Sequence, residues 1–279
     1  MFYILLLYID LLYIKYIAFL YRDTTKGAEM KIITVTNQKG GTAKTTTTAA
    51  LMAGLTKRGY KVLAIDLDPQ CNLSFILKAD SSKPTALGIL TGEAKTKDAI
   101  QQNSNGDFIA SSKRLSNAEK LLDSVGREYQ LKKALESIKA DYDFILIDTP
   151  PALSVLTLNA LTACNSVIIP ALADVFSLQG ITQLSETIEP IKEYTNKDIY
   201  IEGILLTRYS GDRTTLNRNI KDIAKKTAEK LNTKLFSSVI REAVAIREAQ
   251  TSLQSIFEYA PKASVTADYD SFISELVGA

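Results

Sequence analysis

From residue 31 onward, short apolar, β-branched runs alternate with longer stretches of helical pattern, and this alternation constrains the fold more than any other feature of the chain. KIITVT (31–36) reads as a buried strand, and KTTTTAALMAGLTKRG as a helix that stops at Gly59. KVLAIDLD (61–68) reads as a second strand ending in carboxylates, and YDFILIDTPP (142–151) as another, closed by prolines. SVIIPA (166–171), IYIEGILLTR (199–208), GDFIAS and KLFSSVI (234–240) read as further strands. Helices are expected over SKPTALGIL, REYQLKKALESIKA, Leu178 to Tyr194, TLNRNIKDIAKKTAEKLN and the tail SVTADYDSFISELVG. Such alternation predicts βαβ units, hence an α/β fold: one domain built on a mostly parallel sheet with helices on both faces.

Composition narrows the chemistry. Histidine is absent, which removes Ser-His-Asp and Cys-His mechanisms and His-ligated metals together. Cys71 and Cys164 are far apart and have no CxxC spacing, which argues for a reducing compartment and against a zinc site. The net charge of +2 is too small to point to any partner. The first 22 residues, MFYILLLYIDLLYIKYIAFLYR, are about as apolar and as long as a membrane span, but Asp10 and Lys15 interrupt them. They lack a basic leader and a small-residue cleavage site. Residues 1–29 are therefore read as outside the functional fold, upstream sequence translated from an early start; a membrane anchor is the alternative. Residues 30–279 are read as the functional domain.

Three polar clusters fall at the carboxyl ends of expected strands, where open parallel sheets bind ligands. The first is NQKGGTAKT. It departs from the common phosphate-loop pattern, with Gln38 and Ala43 at the two glycine positions, and offers Gly40, Gly41 and an additional Lys39 instead. Backbone N–H groups of Gly40, Gly41, Thr42, Ala43, Lys44, Thr45 and Thr46 at a helix start suit a nucleotide's phosphates. Lys44 would reach the β- and γ-phosphates, and the Thr45 hydroxyl would ligate Mg²⁺. Alanine at position 43 is taken to mean that this position needs no positive φ. The second cluster is DLDPQ, with Asp66 and Asp68, and the third is DTPP, with Asp148. Asp148 suits Mg²⁺, directly or through water. Asp66 and Asp68 are expected to point apart, so that only one faces the γ-phosphate. Asp68 is read as orienting the attacking water, and Asp66 as supporting the Mg²⁺ shell or the loop.

KGGTAKTT resembles the deviant Walker A loop, KGGxxK[ST], of the ParA/MinD superfamily of ATPases, and DLDPQCN and DFILIDTPPALSVLTLNAL resemble its next two motifs in order. IIPALADVFSLQGITQL and IREAVAIREAQ resemble later ParA segments. The resemblance implies a single-domain P-loop NTPase that uses ATP and Mg²⁺ and forms a homodimer on ATP binding. Lys39 would be the signature lysine that crosses to the partner's nucleotide, and Lys39, Lys44 and Asp68 would carry hydrolysis. It further implies slow hydrolysis stimulated by DNA and a ParB-like partner, and a cytoplasmic protein that joins the nucleoid when ATP-bound. Ala43 and Cys71 stand where the family commonly has glycine, and Val239-Ile240-Arg241 where many members have Ile-Pro-Arg. Residues 203–262 hold eleven Lys or Arg against six Asp or Glu. Such a face can track phosphates without reading bases, and Arg241 and Arg247, then Arg218 and Lys221, are the candidate DNA contacts. The tail beyond Ala267 has three acidic residues and no basic one, which disfavours stable membrane association through a basic amphipathic helix. A related ATPase that positions a cargo other than DNA, or a MinD-like membrane-associated form, is the alternative.

Overall fold

The computed structural model describes residues 30–209, 211 and 215–278; the reading of residues 1–29 lies outside them. Seven strands form one sheet: β1 (Lys31–Val35), β2 (Val62–Asp66), β3 (Ile100–Asn103), β4 (Gly106–Ile109), β5 (Phe144–Asp148), β6 (Ser166–Leu172) and β7 (Tyr200–Thr207). Their order is β3-β4-β2-β5-β1-β6-β7, parallel except for the short β3–β4 hairpin. The main helices are α1 (Lys44–Lys57), α2 (Asn72–Ile76), α3 (Gln130–Leu135), α4 (Val155–Ala163), α5 (Val175–Tyr194), α6 (Thr215–Lys230), α7 (Val244–Thr251) and α8 (Ser264–Val277).

The strand order locates the binding crevice. The β1–α1–β2 crossover passes over β5 in one direction, and the β5–α4–β6 crossover passes over β1 in the other. Right-handed crossovers then require α1 and α4 to cover opposite faces. The direction of winding reverses between β1 and β5, which pair in register with Val35 beside Asp148. Ligands in such sheets bind outside the carboxyl ends at this reversal.

The core strands are buried on both faces, so β2 and β5 have no exposed position along their length. On the α1 face, Leu51, Met52 and Leu55 pack against Tyr269, Phe272 and Ile273 of α8. A Cβ on Gly54 would collide with Ile273, so this glycine lets the two helices approach closely. The last helix is thus part of the support for the loop that precedes α1.

Four expectations need correction. Residues 234–240 make only isolated bridges to β7, at Leu235 and Ile240. Between them the backbone N–H groups of Ser237 and Ser238 donate to the Glu275 carboxylate at 2.8 and 2.9 Å, so a side chain takes donors that a ladder would have used. The helix expected over REYQLKKALESIKA is broken into a 3₁₀ turn, α3 and a second 3₁₀ turn. Asn159 of α4 accepts from Leu131 N–H and donates to the Arg127 carbonyl, binding the junction to its neighbour. β2 ends at Asp66, so Leu67 and Asp68 lie beyond it. The fourth, the backbone at Ala43, concerns the site.

Candidate nucleotide site

Residues 36–43 leave β1 and turn directly into α1. Asn37 pins the turn: its Nδ2 donates to the Pro170 carbonyl of β6 at 2.8 Å, and its Oδ1 accepts from Lys39 N–H at 2.9 Å. The Thr207 hydroxyl of β7 donates to the Thr42 carbonyl at 3.2 Å. Gln250 Nε2 of α7 donates to the Thr46 hydroxyl at 3.1 Å. No side chain caps the α1 N-terminus, so its leading N–H groups stay available to an anion. A Cβ built on Gly40 or Gly41 would meet no protein atom within 4 Å and would occupy the space above the loop instead. That open space over an uncapped helix start leaves room for a phosphate. Only Gly41 of the pair needs positive φ, at 76°.

Ala43 overturns its expectation. Its φ is 66°, in the left-handed region, and Cys71 has φ 58°. Both are positions where the resembling motifs carry glycine, and left-handed backbone is the physical reason. Each side chain there costs about 1 kcal/mol. Ala43→Gly and Cys71→Gly should therefore each raise the denaturation midpoint of the nucleotide-free protein. A lower midpoint would show that unfolded-chain entropy outweighs the relief of strain.

The three carboxylates divide the work by position. Asp148 ends β5, fully buried, and one oxygen accepts from the Thr45 hydroxyl at 2.7 Å. Its other oxygen, Oδ1, has no partner. Because Thr45 donates its proton to Asp148, its lone pairs remain open to a cation. Among the described residues no three acidic or cysteine side chains form a metal cage. This donor set fits Mg²⁺, which takes one or two protein oxygens and completes its shell with phosphate and water. Asp66 and Asp68 do serve different partners, but strand alternation is not the cause, since residues two apart on a strand share a face. The chain leaves the sheet after Asp66. Asp66 turns inward, accepting from Asp68 N–H at 3.0 Å and from Ser74 N–H and Oγ at 2.8 and 2.6 Å. Asp68 lines the cleft, with Oδ1 accepting from Gln70 N–H at 2.9 Å.

Burial sets the electrostatics. It lowers the Lys44 ammonium's pKa, and the charges of Asp148 and Asp68 oppose that shift. Burial raises Asp148 well above the usual carboxylate range, and the nearby Asp66 charge adds to this. Burial likewise lifts Asp66 from 3.8 to about 6 against its hydrogen bonds from Ser74 and Asp68. A carboxyl with a raised folded pKa binds more protons when folded, so stability is lost as pH rises through that window. The nucleotide-free protein should therefore melt at a higher temperature near about pH 5 than near about pH 7. A flat or opposite profile in thermal unfolding would mean that these carboxylates are charged at no cost.

The structure brings Gly40, Gly41, Thr42, Ala43, Lys44, Thr45, Thr46, Asp68, Arg241 and Arg247 to one cleft of about 940 Å³. Asp66 and Asp148 lie beneath it. Lys39 instead turns to Asp174, with Nζ 2.8 Å from each carboxylate oxygen. Arg241 makes a two-pronged pair with Asp268 of α8, Nε and Nη2 each at 2.7 Å, so part of its charge is already balanced. Arg218 and Lys221 lie on α6, outside the cleft lining. Sequence reasoning missed Asp174, Gln250, Asp268 and the Thr207 hydroxyl. Asp174 alone had a local signal, an aspartate between a strand and a helix; it caps α5 by accepting from Ser177 N–H at 2.7 Å.

A mostly parallel sheet, a phosphate-cradling loop at its winding reversal and an acidic residue on the adjacent strand define a P-loop NTPase. A family model described as AAA domain matches residues 30–201. The chain is 40% identical over 238 residues to the sporulation initiation inhibitor protein Soj of Bacillus subtilis, covering 83% of this chain and 92% of Soj. It is 34% identical over 255 residues to the chromosome partitioning protein ParA of Caulobacter vibrioides, covering 89% and 94%. A crystal structure described as cobyrinic acid a,c-diamide synthase from Mycobacterium smegmatis, with bound ATP analog and magnesium, superposes with a TM-score of 0.77. That alignment has 32% identity and covers 89% of this chain and 95% of the other. With its KGGTAKTT loop and these relatives, the chain belongs to the ParA/MinD superfamily of P-loop ATPases.

Proposed function

We propose that this protein is a partition ATPase, which binds ATP with Mg²⁺, dimerises around it, and holds DNA non-specifically while a ParB-like partner stimulates hydrolysis. The observation that carries the reading is the loop itself: a phosphate cradle with a second lysine, Lys39, beside it but not lining its cleft. Phosphoryl transfer depends on positioning and charge neutralisation, so a cation delivered from a second subunit couples hydrolysis to assembly. In the single chain Lys39 rests on Asp174, and dimerisation would exchange that carboxylate for the partner's phosphates.

Bound Mg²⁺ would neutralise phosphate charge between Thr45 and Asp148. Lys44 holds the β- and γ-phosphates, and Asp68 orients water toward the γ-phosphate. Asp66 supports the loop that carries Asp68, and Thr42, Thr46 and the glycines line the cradle. DNA contact is assigned to the basic residues of 203–262, with Arg241 and Arg247 first, both also at the nucleotide cleft, and Arg218 and Lys221 next. The apolar face of α8 is buried against α1, which supports the expectation of no stable membrane association. No helix among the described residues is long and apolar enough to cross a membrane. The protein is assigned to the cytoplasm, moving to the nucleoid when ATP-bound.

The test is the ATPase rate with and without DNA at low salt, with the neighbouring gene product added. Stimulation by both supports partition, and indifference to DNA favours the ATPase with another cargo. Combined Arg218→Glu and Lys221→Glu, both outside the cleft lining, should weaken DNA binding and reduce the salt dependence by roughly one ion per lost phosphate contact. Dimerisation should survive. Arg241→Glu should differ by also disturbing nucleotide binding, because it sets a second carboxylate against Asp268. If Arg241→Glu affects DNA alone, the Asp268 pair has no role at the cleft.

A further inference from the structure

Residue 68 lies beyond the end of β2, where no strand ladder fixes it, yet both ends of its backbone are held by a closed ring of buried polar groups. Asp68 N–H donates to Asp66, Asp66 accepts from Ser74 Oγ, and Ser74 Oγ accepts from Ser111 N–H at 2.7 Å. Ser111 Oγ then returns to the Asp68 carbonyl at 2.6 Å. Asp66, Ser74 and Ser111 are 1%, 4% and 7% exposed, so water does not compete for these bonds. Ser111 is two residues past the end of β4, a strand that brings no side chain to the cleft.

We infer that Ser111 is a positioning residue for ATP hydrolysis: it touches neither the cleft nor the nucleotide and acts by fixing the backbone from which Asp68 reaches the attacking water. The inference rests on the reading of Asp68 as the residue that orients water. The alignment of a reacting water tolerates little error, and a displacement of about 1 Å can cost about 10²-fold in rate. Two hydrogen bonds on opposite sides of one residue are a means of preventing it. Ser74 Oγ donates to Asp66 and accepts from the Ser111 backbone N–H, so loss of the Ser111 hydroxyl opens the ring only at the Asp68 carbonyl and leaves Asp66 and Ser74 paired.

Ser111→Thr and Ser111→Val in the full-length chain have the same shape and differ in the hydroxyl alone. The valine variant should lose about tenfold or more in kcat, with KM and ATP affinity held within about twofold. The threonine variant should retain most of the kcat, and the two should unfold at similar temperatures. Equal kcat for the two variants would overturn the inference. So would a KM that rises and an unfolding temperature that falls together with the loss of kcat in the valine variant, which marks a structural residue. If valine prevents folding, Ser111→Ala is measured in its place, and failure of both to fold would overturn it too. Asp68→Ala separates the two levels. If that variant still hydrolyses ATP, the role of Asp68 is wrong; if it is inactive while Ser111→Val is unimpaired, only the Ser111 inference fails.

Discussion

Lys44→Ala should lower ATP hydrolysis by about 10²-fold or more and remove most ATP binding. Lys44 is the one ammonium buried among the site's carboxylates; it is 7% exposed, and Asp148 and Asp68 act on it through their charges. Its Nζ folds back onto the Lys39 carbonyl at 3.3 Å, so the charge already lies over the loop. Truncation would remove the cation proposed to meet the β- and γ-phosphates, and with it the positive charge that acts on Asp148 and Asp68. Lys39 does not fill the gap, because its ammonium sits on Asp174. Calorimetric titration with ATP and Mg²⁺ checks the binding arm, and phosphate release checks the other. ATP affinity close to that of the unaltered chain would show that the backbone cradle suffices and would remove Lys44 from the binding role.

Asp68→Ala should have the opposite profile: ATP still binds, a dimer accumulates, and hydrolysis falls by about 10²- to 10⁴-fold. The structure explains why this substitution can be clean. Most bonds that hold residue 68 are made by its backbone. Its N–H donates to Asp66, and its carbonyl accepts from Ser111 Oγ and from Cys71 N–H at 2.9 Å. All of these survive truncation of the side chain, and the loss is one acceptor for Gln70 N–H. Size-exclusion chromatography with ATP measures the dimer, and phosphate release measures turnover. A variant that stays monomeric with ATP would show that Asp68 serves assembly, not water, and the division of roles among the three aspartates would have to be redrawn.

Much of the site was legible because its chemistry is local. A glycine pair before a lysine and a threonine, at the junction of an apolar run and a helix, needs only the geometry of a strand and a helix start to become a phosphate cradle. Asp148 was legible for a similar reason, as a charge closing an otherwise buried run. Ala43 misled because alanine is read as a residue of ordinary backbone. The φ of 66° is imposed by the turn into α1, and the sequence carries no mark of it beyond the glycine that the family places there. The false strand at 234–240 has the same origin. Its apolar residues suit a ladder, but Glu275, some 40 residues later in the chain, takes the donors.

The sequence by itself determined the α/β class, the phosphate loop and the acidic strand ends, because each follows from residues within a few positions of one another; the strand order and its winding reversal came from the tertiary structure. The tertiary structure alone decided where the long side chains go. Arg241 reads as a candidate DNA contact until α8 brings Asp268 against it, and Lys39 reads as a lysine reaching for a partner's nucleotide until the fold places Asp174, just past β6, against it. Charge in a segment is a property of composition. The partner that balances it is set by packing between residues far apart in the chain, and that packing turns Arg241 toward the nucleotide cleft and keeps Lys39 beside the loop.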